Sequence, residues 1–455
     1  MTTENPQKHA IIGMGKTGIS IAHFLLRQGI LCEAFDENIA ALPDSLSIPL
    51  HSGVLDSKAL QTFDYIWVSP GIHWEKPALQ ETRHAGIPMQ GDLGLFLEHC
   101  KVPLIAITGT NGKTTTTQVI QTLLETLPGG CETGGNIGTP MLDLIGQDIL
   151  PSRIALELSS FQLERCNHIH PHWAVLLNIQ SDHADMHVDK EAYLAAKLRL
   201  FTHQTAGDTA MLPVGERWDD LSEQLCERGV QVHRFGLLAE SHPAIETLAA
   251  GIVSKDKQHT LFWHQDGHRQ SLNCQRIPTR GLHQHINLAV AAQAAADFGV
   301  SNKVIREAIS SFRGLPHRLR LIGHVAGHDW FDDSKATNPA AAQAALSSFD
   351  QSIWICGGLR KGLDLTPLSD TVRNHVSHAI IIGKEKHAYI ELLQKSGISY
   401  TVGGTIERAV MMAASHASTL PVLLSPAAAS QDQFTNYAER GRAFAKAIQH
   451  LEKQR

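Results

Sequence analysis

The stretch that decides the fold runs from Val102 to Thr117, VPLIAITGTNGKTTTT. An apolar run, Leu104–Ile107, leads through Thr108 into two glycines, a lysine and a row of threonines. A buried strand that turns through glycine into a helix makes a phosphate cradle: loop amides and the lysine hold a polyphosphate, and the following hydroxyl reaches Mg²⁺. Gly109, Thr110, Asn111, Gly112, Lys113, Thr114 and Thr115 therefore form the candidate ATP-binding loop. The strict G-x-x-x-x-G-K-[ST] pattern fails at its first position, where Ile107 stands, so this is a variant loop whose glycine comes two residues later. The plainer reading, a polar turn capping an ordinary helix, leaves the glycine–lysine–threonine order unexplained.

Downstream, RIALELSS and WAVLLNIQ are apolar strands that end on polar residues, and GGNIG, ELSSFQL and NIQSDHADMH supply Asn136, Glu157, Asp182, His183 and Asp185. Ligands of open parallel sheets sit beyond the carboxyl ends of the strands, so these side chains should converge on the bound phosphates. A carboxylate beside a triphosphate is repelled unless a cation lies between them, which makes Glu157 a candidate Mg²⁺ ligand. His183 and His187 at i, i+4 could also suggest zinc, but the glutamate of H-E-x-x-H is missing. HIHPH, His168–His172, reads as a solvated strand entry.

Upstream, residues 9–13, 31–36 and 65–69 are short apolar runs separated by helix-like stretches such as ISIAHFLLRQG, an alternation that predicts a small parallel sheet. GMGKTG, with Gly13, Gly15 and Gly18, follows the first run, and Asp36 ends the second. This is the dinucleotide-binding fingerprint. It fits NAD or the pyrophosphate of a nucleotide sugar, and a tight turn without a ligand remains the bland alternative. Beyond the Ala-rich helix INLAVAAQAAADFG and the segment GLPHRLR, a third series begins: DWFDDSK, SIWICGG, HAIIIG and PVLLSPA. The chain is thus expected to be α/β in three domains, 1–91, 92–314 and 315–455, which also suits 455 residues at roughly 150 per domain.

Composition excludes several classes. With 43% hydrophobic and 18% charged residues the chain is neither disordered nor fibrous, and a net charge of −6 gives no drive toward nucleic acid. Protonating all 27 histidines would swing the formal charge from −6 to +21, so solubility should respond to acid. Seven cysteines without C-x-x-C spacing predict neither a disulfide framework nor a zinc knuckle. MTTENPQKHAIIGMG is polar where a signal peptide is apolar, and no run approaches a membrane span, so a cytoplasmic protein is expected; it is expected to be a monomer.

The words GTNGKTTTT, ELSSFQL, SDHADMH, AAKLRLF, LPHRLR, DDSKATNP and LLSPAAASQDQF, in this order, resemble those of the Mur ligase family over nearly the whole chain. ELSSFQL and DDSKATNP are similar to the words of the member that adds D-glutamate; Ala184 and Ala428 depart from it, standing where leucine and cysteine are expected. The resemblance implies a Rossmann-like N-terminal domain for the UDP part, a central P-loop ATPase-type domain and a C-terminal dinucleotide-fold domain for the amino acid. It implies that ATP activates the carboxylate of UDP-N-acetylmuramoyl-L-alanine as an acyl phosphate, which the D-glutamate amine then attacks.

By the same resemblance Lys16, Thr17, Asp36, Glu37, Ser69, Pro70 and Gly71 line the UDP site, and Asn136, Gln162 and His183 meet the muramoyl-alanine arm. Lys113, Thr114, Asn287, Arg318 and Asp333 hold ATP, with Lys113, His183, Lys197 and Arg318 as the catalytic set. Lys335, Thr337, Lys361, Ser430, Gln431 and Tyr437 surround D-glutamate. Lys197 is expected to be carbamylated, which would turn an ammonium into an oxygen ligand for Mg²⁺ beside Thr114, Glu157 and His183. A nicotinamide oxidoreductase using Gly13, Gly15 and Gly18 would leave Lys113, Glu157 and DDSKATNP unexplained. A non-catalytic nucleotide sensor would not need Arg318.

Overall fold

The computed structural model describes residues 7–146, 150–180, 189–256 and 258–453, and among them lie three sheets of five, nine and six strands. The first contains β1 (Lys8–Ile12), β2 (Leu31–Asp36), β3 (Leu50–Ser52), β4 (Tyr65–Val68) and β5 (Met89–Gln90) in the order β3-β2-β1-β4-β5. All its pairs are parallel. The expected strand at 9–13 ends one residue early, because Gly13 takes a φ of 87° to start the loop. The helix Lys16–Arg27 follows, and Gly29, at φ 72°, turns the chain back. A Cβ at Gly18 would collide with the Gly13 carbonyl, so helix and loop pack as closely as the glycine pattern requires.

The second sheet holds β6 (Leu104–Thr108), β7 (Glu132–Gly135), β8 (Ile154–Glu157), β9 (Trp173–Leu176), β10 (Thr209–Pro213), β11 (Gln231–Ala239), β12 (Ala250–Lys255), β13 (Gln258–Gln265) and β14 (His268–Asn273). Their order is β14-β13-β12-β11-β10-β9-β6-β8-β7. β6 lies inside it, buried along its length between β8 and β9, which is why it reads as an unbroken apolar run. The antiparallel extension β12–β14 was not legible in the sequence: β14 is mostly exposed and shows no clean alternation. The Ala-rich helix starts at Leu282, four residues before the expected stretch, and ends at Asp297. Its buried alanines let it lie close against both the sheet and the helix Lys113–Leu124.

The third sheet contains β15 (Arg320–Val325), β16 (His328–Asp332), β17 (Ser352–Cys356), β18 (Val376–Ile382), β19 (Ser399–Gly404) and β20 (Val422–Leu424), ordered β15-β16-β20-β17-β18-β19. Each of its faces has its own apolar cluster, one around Trp354 and Tyr389, the other around Trp330 and Phe444. The first two sheets instead share a core, in which Ile11 and Trp67 belong to the same cluster as Leu104 and Leu156. All seven cysteines are free, and no described helix is long and apolar enough to cross a membrane.

Candidate active site

The chain leaves β6 at Thr108, and Gly109–Gly112 form the loop before the helix that begins at Lys113. Ile107, fully buried within β6, belongs to the core, so the loop opens at Gly109 rather than at the position the strict motif names. Gly109 and Gly112 adopt φ of 148° and 89°, which side chains rarely tolerate. A Cβ at Gly112 would stand 2.5 Å from the Asn287 Oδ1, so Asn287 is pressed against the loop from the helix Leu282–Asp297.

Two residues just beyond β9 brace the loop. Asn178 accepts from the Thr110 and Asn111 amides at 3.0 and 2.9 Å, through its carbonyl and its Oδ1, and returns a bond to the Asn111 carbonyl. Gln180 takes the Asn111 side-chain amide at 2.8 Å and donates its own amide to the Thr110 hydroxyl. Neither was singled out from the sequence, although both follow an apolar strand in a parallel sheet, where the carboxyl-end rule places ligand sites. Lys113 folds over the loop, its ammonium donating to the Gly109 and Thr110 carbonyls at 2.8 and 3.0 Å.

Glu157 ends β8 and is 2% exposed. Its carboxylate accepts from the Thr114 hydroxyl at 2.7 Å and the Asn136 amide at 3.0 Å. The Thr114 hydroxyl in turn accepts from Arg318, which arrives from just ahead of the third sheet. Burial lowers the Arg318 pKa, and Glu157 opposes that shift. Asp333, the residue after β16, accepts from the Leu319 amide and the Ser425 hydroxyl, and burial pushes its carboxyl up to about 8. A cavity of about 440 Å³ opens between the two sheets, lined by the loop from Thr110 to Thr115 with Asn136, Glu157, Asn287, Arg318, Asp333, Lys335 and Thr337.

Mg²⁺ bound with a nucleotide commonly takes one or two protein carboxylates and completes its shell with phosphate and water. Glu157 and the Thr114 hydroxyl fit that pattern, and no group of three or more metal-binding side chains lies among the described residues. Lys197, 1% exposed, lies with its Nζ 3.1 Å from the Gly109 carbonyl oxygen, 3.4 Å from the Thr108 hydroxyl and 4.7 Å from the Tyr193 ring centre. His183, with Asp182 and Asp185, falls outside the described residues.

The remaining expected residues lie elsewhere. Lys16, Thr17, Asp36, Glu37, Ser69, Pro70 and Gly71 gather at the carboxyl ends of β1, β2 and β4, beside the point where strand order reverses. There Asp36 accepts from the Met14 amide at 2.7 Å, Ser69 donates to the Gly13 carbonyl at 2.7 Å, and Glu37 pairs with Lys76. The Gln162 side-chain oxygen accepts from the Ser159 amide and hydroxyl, capping its own helix. In the third sheet Lys335 lies 4.1 Å from the Tyr437 ring centre. Lys361 and Gln431 are exposed and Ser430 is buried, on loops after β17 and β20 that are zipped together by Leu359 and Ala429. Arg165 and Arg440 were missed altogether. Arg440, 1% exposed, donates to the Ser334 and Ala428 carbonyls, tying the segment that carries Lys335 to the turn that carries Ser430.

Residues 7–91 match the domain described as Mur ligase MurD-like, N-terminal domain, and residues 107–295 match the Mur ligase middle domain. The chain belongs to the Mur ligase family. Its relatives include the UDP-N-acetylmuramoylalanine--D-glutamate ligase of Geobacter metallireducens, 34% identical over 97% of each chain. The enzyme of that name from Pseudomonas aeruginosa is 32% identical, again over 97% of each chain. Among solved structures, the MurF ligase of Thermotoga maritima in complex with ADP shares the fold, with a TM-score of 0.61 at 16% identity, over 98% of this chain and 95% of its own.

Proposed function

We propose that the protein adds D-glutamate to UDP-N-acetylmuramoyl-L-alanine at the expense of ATP, as a cytoplasmic monomer making peptidoglycan precursors. The observation that carries the reading is the single cleft in which Lys113, Thr114 and Glu157 of the second sheet face Arg318, Asp333 and Lys335 of the third. A reaction in which a carboxylate attacks a polyphosphate needs cationic groups on both sides of the transferred phosphoryl. The domain boundaries of this reading are 91/92 and 314/315.

In this reading the loop amides and Lys113 hold the β- and γ-phosphates, exchanging the lysine's bonds to the Gly109 and Thr110 carbonyls for bonds to phosphate. Asn287 borders the adenine, and Asp333 meets the nucleotide from the third sheet's side. Thr114, Glu157, His183 and a carbamylated Lys197 would hold Mg²⁺, which would supply charge neutralisation at the phosphates. Arg318 swings from the Thr114 hydroxyl to the γ-phosphoryl as the substrate carboxylate attacks. The resulting acyl phosphate is presented to the D-glutamate amine, whose carboxylates Lys335, Thr337, Lys361, Ser430, Gln431 and Tyr437 hold. Asn136 and Gln162 border the muramoyl-alanine arm, and the pocket around Gly13, Asp36 and Ser69 takes the UDP. Lys361, Ser430 and Gln431 lie outside the present cleft, so D-glutamate binding is expected to draw the third sheet inward.

The test is phosphate release and product formation with D-glutamate, L-glutamate, L-alanine or meso-diaminopimelate as acceptor. Release that needs both UDP-N-acetylmuramoyl-L-alanine and D-glutamate is expected; equal or better product with any other acceptor would refute the assignment.

A further inference from the structure

Arg165 closes the short helix Ser160–Glu164, eight residues after Glu157, and it is 2% exposed. Its guanidinium crosses to the first sheet, where Nη1 donates to the Ser69 carbonyl at 2.6 Å and Nη2 to the Ile72 carbonyl. Those carbonyls bound one turn, since the Ile72 amide also donates to the Ser69 carbonyl at 3.1 Å. The turn is the floor of the glycine loop: Ser69 donates to the Gly13 carbonyl, and a Cβ at Gly13 would lie 2.7 Å from the Ile72 side chain. The Gly91 amide donates to the Arg165 carbonyl at 3.0 Å, so the same residue also pins the passage between the first and second sheets. Trp74 flanks the guanidinium, with its ring centre 5.2 Å away.

A buried guanidinium is costly unless its geometry is used: both of its hydrogen-bond acceptors here are neutral carbonyls, and the nearby Glu164 and Asp92 offset the burial only in part. Burial lowers its pKa to about 10, which still leaves it cationic at neutral pH. Two rigidly spaced donors fix the separation of the Ser69 and Ile72 carbonyls, which a single-point donor such as lysine cannot do.

We infer that Arg165 is a positioning residue for the nucleotide-sugar substrate: from the second sheet it sets the 69–72 turn on which the Gly13 loop rests. The inference deepens the proposed function and rests on it. It predicts a selective defect. Arg165→Lys and Arg165→Met should raise the KM for UDP-N-acetylmuramoyl-L-alanine about tenfold or more, with ADP affinity and the KM for D-glutamate within about twofold of the parent.

Steady-state kinetics on the full chain, with calorimetric titration of ADP, read both quantities. Unchanged KM for the UDP substrate in a folded variant overturns the inference, and so does a uniform rise in every constant. If neither variant folds, Arg165 is a stability element only and the inference falls. A parent protein that fails to turn over this substrate with D-glutamate refutes the proposed function instead, so the two failures are distinguishable.

Discussion

Gly112→Ala isolates what the nucleotide loop needs from its backbone. Gly112 sits at φ 89° and ψ −21°, and a methyl added there would lie 2.5 Å from the Asn287 Oδ1 and 3.0 Å from its Cγ. An L-residue forced to positive φ costs about 1–2 kcal/mol. Driving Asn287 off its rotamer adds about 0.5–1.5 kcal/mol. Asn287 is 6% exposed on a helix packed against the sheet, so the loop must yield rather than the helix. The strain should therefore appear as lost nucleotide affinity, of roughly tenfold to several hundredfold at 1.4 kcal/mol per decade. Calorimetric titration of ADP with Mg²⁺ measures it, and a thermal melt checks the fold. Gly15→Ala is the control: Gly15 has an ordinary φ of −71° and nothing within 4 Å of the added methyl. An ADP affinity for Gly112→Ala within threefold of the parent would refute the argument that this loop conformation holds the nucleotide.

Arg318→Met should lower kcat by about 100- to 1000-fold, because it removes a cation from the transferred phosphoryl, and leave binding of the UDP substrate unchanged in equilibrium titrations. Lys197 should carry CO₂: activity of enzyme depleted of CO₂ should recover with bicarbonate, and crystals showing a bare amine with Mg²⁺ fully bound would oppose this. Asp333 sets a pH dependence. Its folded carboxyl is raised to about 8, so the stability it contributes is complete below the unfolded value of about 3.9 and drains away as pH climbs to about 8. Asp333→Asn cannot ionise, so its melting-temperature advantage over the parent should widen from pH 5 to pH 8 and then level off; a constant difference would contradict the assignment.

Local patterns carried much of this protein. The apolar run before Gly109 and the order glycine, lysine, threonine specify a strand, a loop and a helix start, because each depends only on neighbouring residues. The same holds for Gly13, Gly15 and Gly18, and for Asp36 at the end of β2. β14 was hidden because an edge strand with little burial leaves no alternation to read, and β12 and β13, whose buried residues come in blocks of three, show no alternation either.

What tertiary structure alone decided is which distant groups share one space. Arg318 and Thr114 are 204 positions apart, and only the placing of the third sheet against the second brings guanidinium to hydroxyl. The DDSKATNP word picks out Asp333, but its titration is set by the fold: burial, with Asp332 beside it, raises its pKa against the lowering hydrogen bonds from Ser425 and Leu319. Arg165 had no motif at all. Its role lies in two backbone carbonyls, which every residue type presents alike and no sequence pattern records. Sequence fixes the local conformations, since they follow from short-range sterics and hydrophobic period; burial, and the electrostatics that depend on it, exist only once the sheets have packed.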